Sequence, residues 1–333
     1  MPTRSLQLLS SSPGNSSACP KDHFRAALEQ ARWAEEAGHS AFVIRSNNRL
    51  VDPWTLAQLI LHETDRIRPV VTVQPLYAHP YTVAKKVASL ASIYGRAPHL
   101  NLAAGAYRAD LLALDDRTPH AQRYERLVEF GRVVWALLTS DSPVVHDGAY
   151  YRLHKPAALP PLPSAQRPRL FVCTSSAQGI AAASELGATA VHHPSDGAIV
   201  PVDCVRIGII AREDSDTAWD VAHERFPVNP ASRFEHRLDV ALSDSCRQTN
   251  LQSAASESDT QELWLVPFEQ QQSLSAYVVG SHVEVARYLR QWMDAGVRTF
   301  VMEEPSSPAD LEHVRCAFER AWRRHQSPLA ATG

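Results

Sequence analysis

Short apolar runs rich in β-branched residues recur along this chain, and most are followed by a helical pattern. "SLQLL" (5–9) precedes a helix over 21–37, with Phe24, Ala27, Leu28, Ala31 and Ala34 at helical spacing and a stop at Gly38. "AFVIR" (41–45) precedes a helix opened by Asp52 as N-cap and Pro53 in its first turn. "PVVTVQ" (69–74) precedes a helix within 79–95, and "LNLAAG" (100–105) leads through a loop to one that Thr118 and Pro119 should open. "RLFVCT" (169–174) runs into "SSAQGIAAASELG"; "TAVHH" (189–193) and "VRIGIIA" (205–211) follow, the latter before a helix at 215–225. "TFVME" (299–303) lies between helices at 282–295 and 308–324.

Strands that alternate with helices form parallel sheets, and strands covered on both faces read as continuous apolar runs. About eight such strands predict an α/β fold, a (β/α)₈ TIM barrel with insertions. An open doubly wound sheet is the alternative. It is weakened by the lack of a GxGxxG or GxxxxGK[ST] phosphate loop. One crossover is too short for a helix: only "PSDGAIVPVDC" separates strands six and seven, so one barrel helix should be missing there. The polar stretch 227–262 lacks periodicity and reads as a long insertion over one barrel mouth, either a lid or a disordered loop. The expectation is one domain over 1–333.

Composition bounds the function. The 333 residues are 44% hydrophobic with net charge −3, which gives no basic surplus for nucleic acid or an anionic membrane. No run has transmembrane length, and the first twenty residues lack the apolar core of a signal peptide. The five cysteines are scattered with no CxxC, so neither a disulfide framework nor a metal site is expected, and a cytoplasmic location is.

Four stretches could carry chemistry. "PHAQRYERLVEF" (119–130) stacks His120 and Tyr124 on one helix face, flanked by Arg123, either as a solvated helix start or as the wall of an anion site. "LNLAAG" places Asn101 in an apolar strand before small residues, either where a flat ligand can approach the backbone or as a buried amide satisfied by a neighbouring strand. "CTSSAQG" brings Thr174, Ser175 and Ser176 to a helix start, more hydroxyls than capping alone needs. His192 and His193 are adjacent on a strand, face opposite ways, and cannot both bind one metal.

Together, "HPYTVAKKVASLASIYGR", "LNLAAGAYRADLLAL", "PHAQRYERLVEF" and "FVCTSSAQGIAAASELG", in this order and spacing, resemble the bacterial luciferase-like flavin monooxygenases, nearest the alkanesulfonate monooxygenase branch. The resemblance runs from about residue 20 to 225 and resumes over 277–302. It implies a barrel that binds reduced FMN at its C-terminal mouth, with oxygen as co-substrate. A separate NAD(P)H:FMN reductase would supply the flavin, and a homodimer is expected. Carried over by residue, Gln74, Asn101, Ala103 and Ala104 would line the isoalloxazine ring. Thr174, Ser175, Ser176 and Tyr124 would hold the ribityl phosphate, with His120 and Arg123 shaping that pocket. Arg206 would be an active-site cation, or else a strand-end arginine paired with a carboxylate.

The departures bear on the substrate. Leu50, Gly208 and Gln271 stand where the sulfonate branch carries a cysteine, a histidine and a loop arginine. Glu303 and Glu304 replace a tyrosine and a histidine, and Glu304 is a candidate base or ammonium ligand. A sulfonate needs paired donors. The expectation is therefore a monooxygenase acting on a small neutral or amine-bearing molecule. The alternatives are a deazaflavin-dependent oxidoreductase of the same fold and a non-catalytic flavin-binding relative.

Overall fold

The computed structural model describes residues 6–14, 19–48, 50–105, 108–156, 159, 162–174, 176–195, 198–228 and 263–326. Four strand–helix units open the fold. They are β1 (Gln7–Ser11) with α1 (Pro20–Glu36), β2 (Ala41–Ile44) with α2 (Pro53–Glu63), β3 (Arg68–Val73) with α3 (Pro80–Tyr94), and β4 (His99–Leu102) with α4 (Arg108–Ala113) and α5 (His120–Thr139). A hairpin of β5 (Val145–Asp147) and β6 (Arg152–His154) follows, then β7 (Leu170–Cys173), α6 (Ala177–Glu185) and β8 (Thr189–His192). The last part holds β9 (Cys204–Arg212), α7 (Ser215–Arg225), α8 (Val266–Glu269), β10 (Tyr277–Ser281), α9 (His282–Asp294), β11 (Thr299–Met302) and α10 (Pro308–Gln326).

The sheet runs β11-β1-β2-β3-β4-β7-β8 in parallel and closes through β9, which pairs with both β8 and β11. All eight expected strands are its staves. No helix joins β8 to β9 among the described residues, as the short crossover required. The lid stretch lies almost wholly outside the described residues, which resume at Leu263. No helix among them is long and apolar enough to cross a membrane.

Two layers of core follow from the strand period of two. Outward-facing residues such as Phe42, Ile44, Val71 and Leu100 pack against α1–α3 and α5. Inward-facing Leu9, Ala41, Val43, Val70, Phe171, Val191, Cys204 and Val301 fill the barrel. Asp52 caps α2 by accepting from the Thr55 amide at 2.8 Å, with Pro53 in the first turn as read from sequence. Thr118 does not cap α5. Its amide and hydroxyl both bond the Asp116 carboxylate, so the helix begins at His120 with Pro119 as its uncapped N-cap residue.

β9 is longer than a barrel stave. Its first half sits in the barrel, while Gly208–Arg212 continue beyond it and pair in parallel with β10. Sequence reading missed β10, the β5–β6 hairpin, α4 and α8, all short elements.

Buried histidine makes the fold acid-sensitive. His39 is buried beside β1, with Nδ1 2.8 Å from Ser10 Oγ, and burial lowers its pKa to about 4. Burial also pushes His99 well below its ordinary value, with help from Arg68 and Arg169. Below pH 6.5 the unfolded chain binds a proton that the folded chain refuses. This stability is complete above pH 6.5 and is lost as pH falls toward 4. We expect urea unfolding of His39→Asn to lose about 2.5 kcal/mol less than wild type between pH 7.5 and 4.5. Parallel stability curves for the two proteins would refute this origin.

Candidate active site

Continuing the inward alternation to the C-terminal mouth predicts which side chains meet there. Ser11, Arg45, Gln74, Asn101, Cys173, His193, Arg206 and Glu303 share the parity of the barrel-filling residues and crown them. All but Cys173 are buried; Cys173 is half-buried. The upper layer of this barrel is therefore polar.

Glu303 organises one side of it. Its carboxylate takes both Arg206 nitrogens, Nε at 2.9 Å and Nη2 at 3.3 Å, and also accepts from Arg45 and, at 3.4 Å, from Ser11 Oγ. The Arg206 and Glu303 side chains are 4% and 0% exposed, so neither charge is tolerable without the other. Burial alone would raise the Glu303 pKa, but Arg206, Arg45 and a bond from Ser275 hold it well below the carboxylate range. Gly14 makes room for Arg45, because a Cβ there would sit 1.6 Å from its guanidinium. The expected active-site cation, Arg206, is thus engaged by a carboxylate. Glu303 in turn adds no unpaired negative charge to the mouth. Glu303 therefore bears on the charge of the mouth by engaging Arg45 and Arg206, not by adding negative charge of its own.

Glu304 differs from its neighbour. It is half-buried and accepts the Gly14 amide at 2.8 Å. Burial raises its pKa, with the Glu303 charge adding to the rise against Arg45 and the Gly14 amide. Of the two glutamates it is the one whose carboxyl is the easier to protonate.

β10 supplies what position 208 lacks. Gly208 and Tyr277 are register partners, and a Cβ on Gly208 would lie 2.4 Å from the Tyr277 ring. Tyr277 therefore occupies the space of a residue-208 side chain. Its hydroxyl is buried without a hydrogen-bond partner among the described residues, and burial, then Glu303 and Glu304, push its pKa up. Phe226 and Trp264 extend this into an aromatic wall, with ring centroids 5.1 Å (Phe226–Tyr277) and 5.9 Å (Phe226–Trp264) apart.

The opposite side carries the other expected residues. Ser176 caps α6, its Oγ accepting from the Gly179 amide at 3.1 Å, lies 3.2 Å from Thr174 Oγ1 and donates to the Tyr124 hydroxyl at 3.4 Å. His120 packs edge-on to Tyr124 with centroids 5.2 Å apart, and Arg123 is buried beneath. Ser175 lies outside the described residues. Asn101 donates Nδ2 to Thr72 Oγ1 at 3.2 Å, while its buried Oδ1 has no partner among the described residues. Gln74 is buried at the end of β3, and Ala104 is half-buried against the outer core. Arg45, Tyr277, Cys173 and Ser275 were not among the expected site residues. The first and third follow from strand parity alone; Tyr277 and Ser275 required β10.

A closed parallel barrel with hydroxyls and a helix start on one side of its mouth, and a buried carboxamide beside small residues, suits a phosphate-bearing planar cofactor. A model of the luciferase-like monooxygenase family matches residues 4–201. The chain belongs to that family and is a luciferase-like monooxygenase enzyme. It is 29% identical over 308 residues, 88% of this chain and 90% of the relative, to the 4-(gamma-L-glutamylamino)butanoyl-[BtrI acyl-carrier protein] monooxygenase BtrO of Niallia circulans. Its fold is similar to that of the EDTA monooxygenase EmoA from Chelativorans sp. BNC1, with TM-score 0.70 and 19% identity over 99% of this chain and 96% of that one. It is also similar to the oxygenating constituent of 3,6-diketocamphane monooxygenase from Pseudomonas putida, a complex with FMN. There the TM-score is 0.68 and the identity 16%, over 96% of this chain and 98% of that one.

Removing one partner of a buried pair strands the other. Glu303→Gln leaves two arginines uncompensated and should cost about 3–5 kcal/mol in urea unfolding. Arg45→Met leaves the Arg206 pair intact and should cost clearly less. Equal losses would show that Arg45, not Arg206, is the principal partner.

Proposed function

We propose that this enzyme is an FMN- and oxygen-dependent monooxygenase of a small organic molecule, using reduced flavin from a separate NAD(P)H:FMN reductase. The observation that carries the cofactor is the buried Oδ1 of Asn101, unpartnered among the described residues, beside Ala103 and Ala104. An orphaned acceptor costs on the order of 1–3 kcal/mol unless something donates to it, and the N–H edge of a flavin is such a donor. Thr174, Ser176 and Tyr124 offer hydroxyls to the phosphate, with the α6 N-terminus behind them. Reduced FMN supplies, when bound, the electrons that activate oxygen.

The side chains of this chain do the rest. Gln74 and Asn101 orient the ring, and Arg123, with His120 and Tyr124, walls the phosphate end. The Tyr277–Phe226–Trp264 wall excludes water from the β9 side. Glu304 holds or releases a proton at its carboxyl group beside the mouth. With Arg45 and Arg206 engaged by Glu303, a neutral or amine-bearing substrate fits better than a sulfonate. The BtrO relative makes an acyl chain carried on a protein the first substrate class to assay.

The test is anaerobic titration of the purified protein with reduced FMN, with a reduced deazaflavin in parallel. We expect reduced FMN to bind, and Ser176→Ala and Tyr124→Phe each to weaken it about tenfold. Preference for the deazaflavin, or wild-type affinity in both variants, would sink this reading.

A further inference from the structure

Cys173, at the end of β7, and His193, just past β8, point into the mouth from neighbouring strands. Cys173 Sγ lies 2.9 Å from His193 Nε2, and His193 Nδ1 lies 2.9 Å from Ser275 Oγ. Ser275 also bonds the carboxyl of Glu303 through its side chain. That last contact fixes the direction of the chain. An ionised carboxylate only accepts, so Ser275 donates its hydroxyl proton to Glu303 and accepts from His193 Nδ1–H. The Nε2 lone pair of His193 is then turned toward the thiol.

Ser275 is itself held in place. Its amide donates to Ser273 Oγ at 3.1 Å, and Ser273 Oγ donates to the Ser275 carbonyl at 2.9 Å. Ser275 and His193 are 0% and 2% exposed, whereas Cys173 is half-buried and reachable from the mouth. A nucleophile, a base within hydrogen-bond reach, and a third group orienting the base make the signature of an activated nucleophile. Here the fourth member, Glu303, is already paired with Arg206 and Arg45; its part is to accept from Ser275 and so hold the base in its orientation.

We propose that Cys173, His193, Ser275 and Glu303 form a relay that makes Cys173 a peroxide-reactive modification site on the inner wall of the mouth. His193 Nε2 takes the thiol proton, and the sulfur attacks one oxygen of hydrogen peroxide. The O–O bond breaks as the S–O bond forms. The second oxygen leaves with the electron pair and collects the proton from His193 as water. Sulfur is oxidised by two electrons to the sulfenic acid, the peroxide is reduced by two, and thiol reductants reverse the change. Among the described residues the other cysteines lack this arrangement: Cys19 is exposed, Cys316 is half-buried on α10 with no histidine bonded to its sulfur, and Cys204 is buried, which pushes its pKa up. The site depends on side chains alone and stands whether or not FMN is the cofactor. Under the oxygen-consuming reading, peroxide from uncoupled turnover leaves past this thiol.

The test uses the purified full-length protein without flavin, treated at pH 7.5 with hydrogen peroxide and a sulfenic-acid-trapping dione, or with iodoacetamide alone. Peptide mass spectrometry follows each cysteine over time. We expect Cys173 to be modified by both reagents at least about ten times faster than Cys19, despite the greater exposure of Cys19. His193→Gln should slow Cys173 on the order of tenfold or more, and Ser275→Ala severalfold, with labelling of Cys19 unchanged in both. Cys19 reacting as fast as Cys173 in the wild-type protein overturns the proposal without any variant having to fold. So does an unchanged Cys173 rate in folded His193→Gln or Ser275→Ala protein.

Discussion

The mouth of this barrel depends on one buried carboxylate. Glu303 follows β11, is gripped by Arg206 from β9 and Arg45 from beyond β2, and receives Ser11 from β1. Each strand could be placed by its apolar residues alone. The polar layer above them could not, because burying a charge costs several kcal/mol unless its partners are in place. The ion triad therefore fixes how β2, β9 and β11 present their ends. It also carries a functional consequence: the two arginines that would attract an anionic substrate are already engaged.

The barrel was legible in the sequence because parallel staves are apolar throughout, and their period against the helices is unmistakable. "AFVIR", "LNLAAG" and "VRIGIIA" needed no tertiary information to be read as strands. The missing helix was legible as well, since the residues between His192 and Cys204 are too few to form one. The hairpin at 145–154 was not legible, as three-residue strands with mixed exposure carry little periodic signal. Thr118 was misread as a cap because Asp116, two residues earlier, competes for the same groups. Local side chain to backbone bonds of this kind override propensity without leaving a trace in hydrophobic pattern.

The site was half legible, and for a definable reason. Residues beside a strand end or helix start, such as Asn101, Thr174 and Ser176, are announced by their position in a local element. Arg45 and Cys173 could have been found by counting strand parity upward from the core, a rule that asks only which face a residue shares. Tyr277 and Ser275 were beyond reach. They enter the mouth only because β9 outruns the barrel and recruits β10, an event decided by pairing rather than by either segment alone.

That extension of β9 explains how the site tolerates a glycine at 208. In a closed barrel a missing inward side chain leaves a hole, and holes in a packed interior are costly. Here the register that places Tyr277 opposite Gly208 lets the aromatic ring lie over the bare backbone. The exchange is not neutral in chemistry. A side chain at 208 would be tethered to the barrel wall beside Arg206. Tyr277 instead reaches in from a strand outside the barrel, backed by Phe226 from the end of α7 and Trp264 from the segment that bridges to β10. The polar groups on this side of the mouth are thus set by how β10 docks. Ser275, two residues before Tyr277, is set by the same docking, so Tyr277 and the link from Glu303 to His193 depend on one structural event.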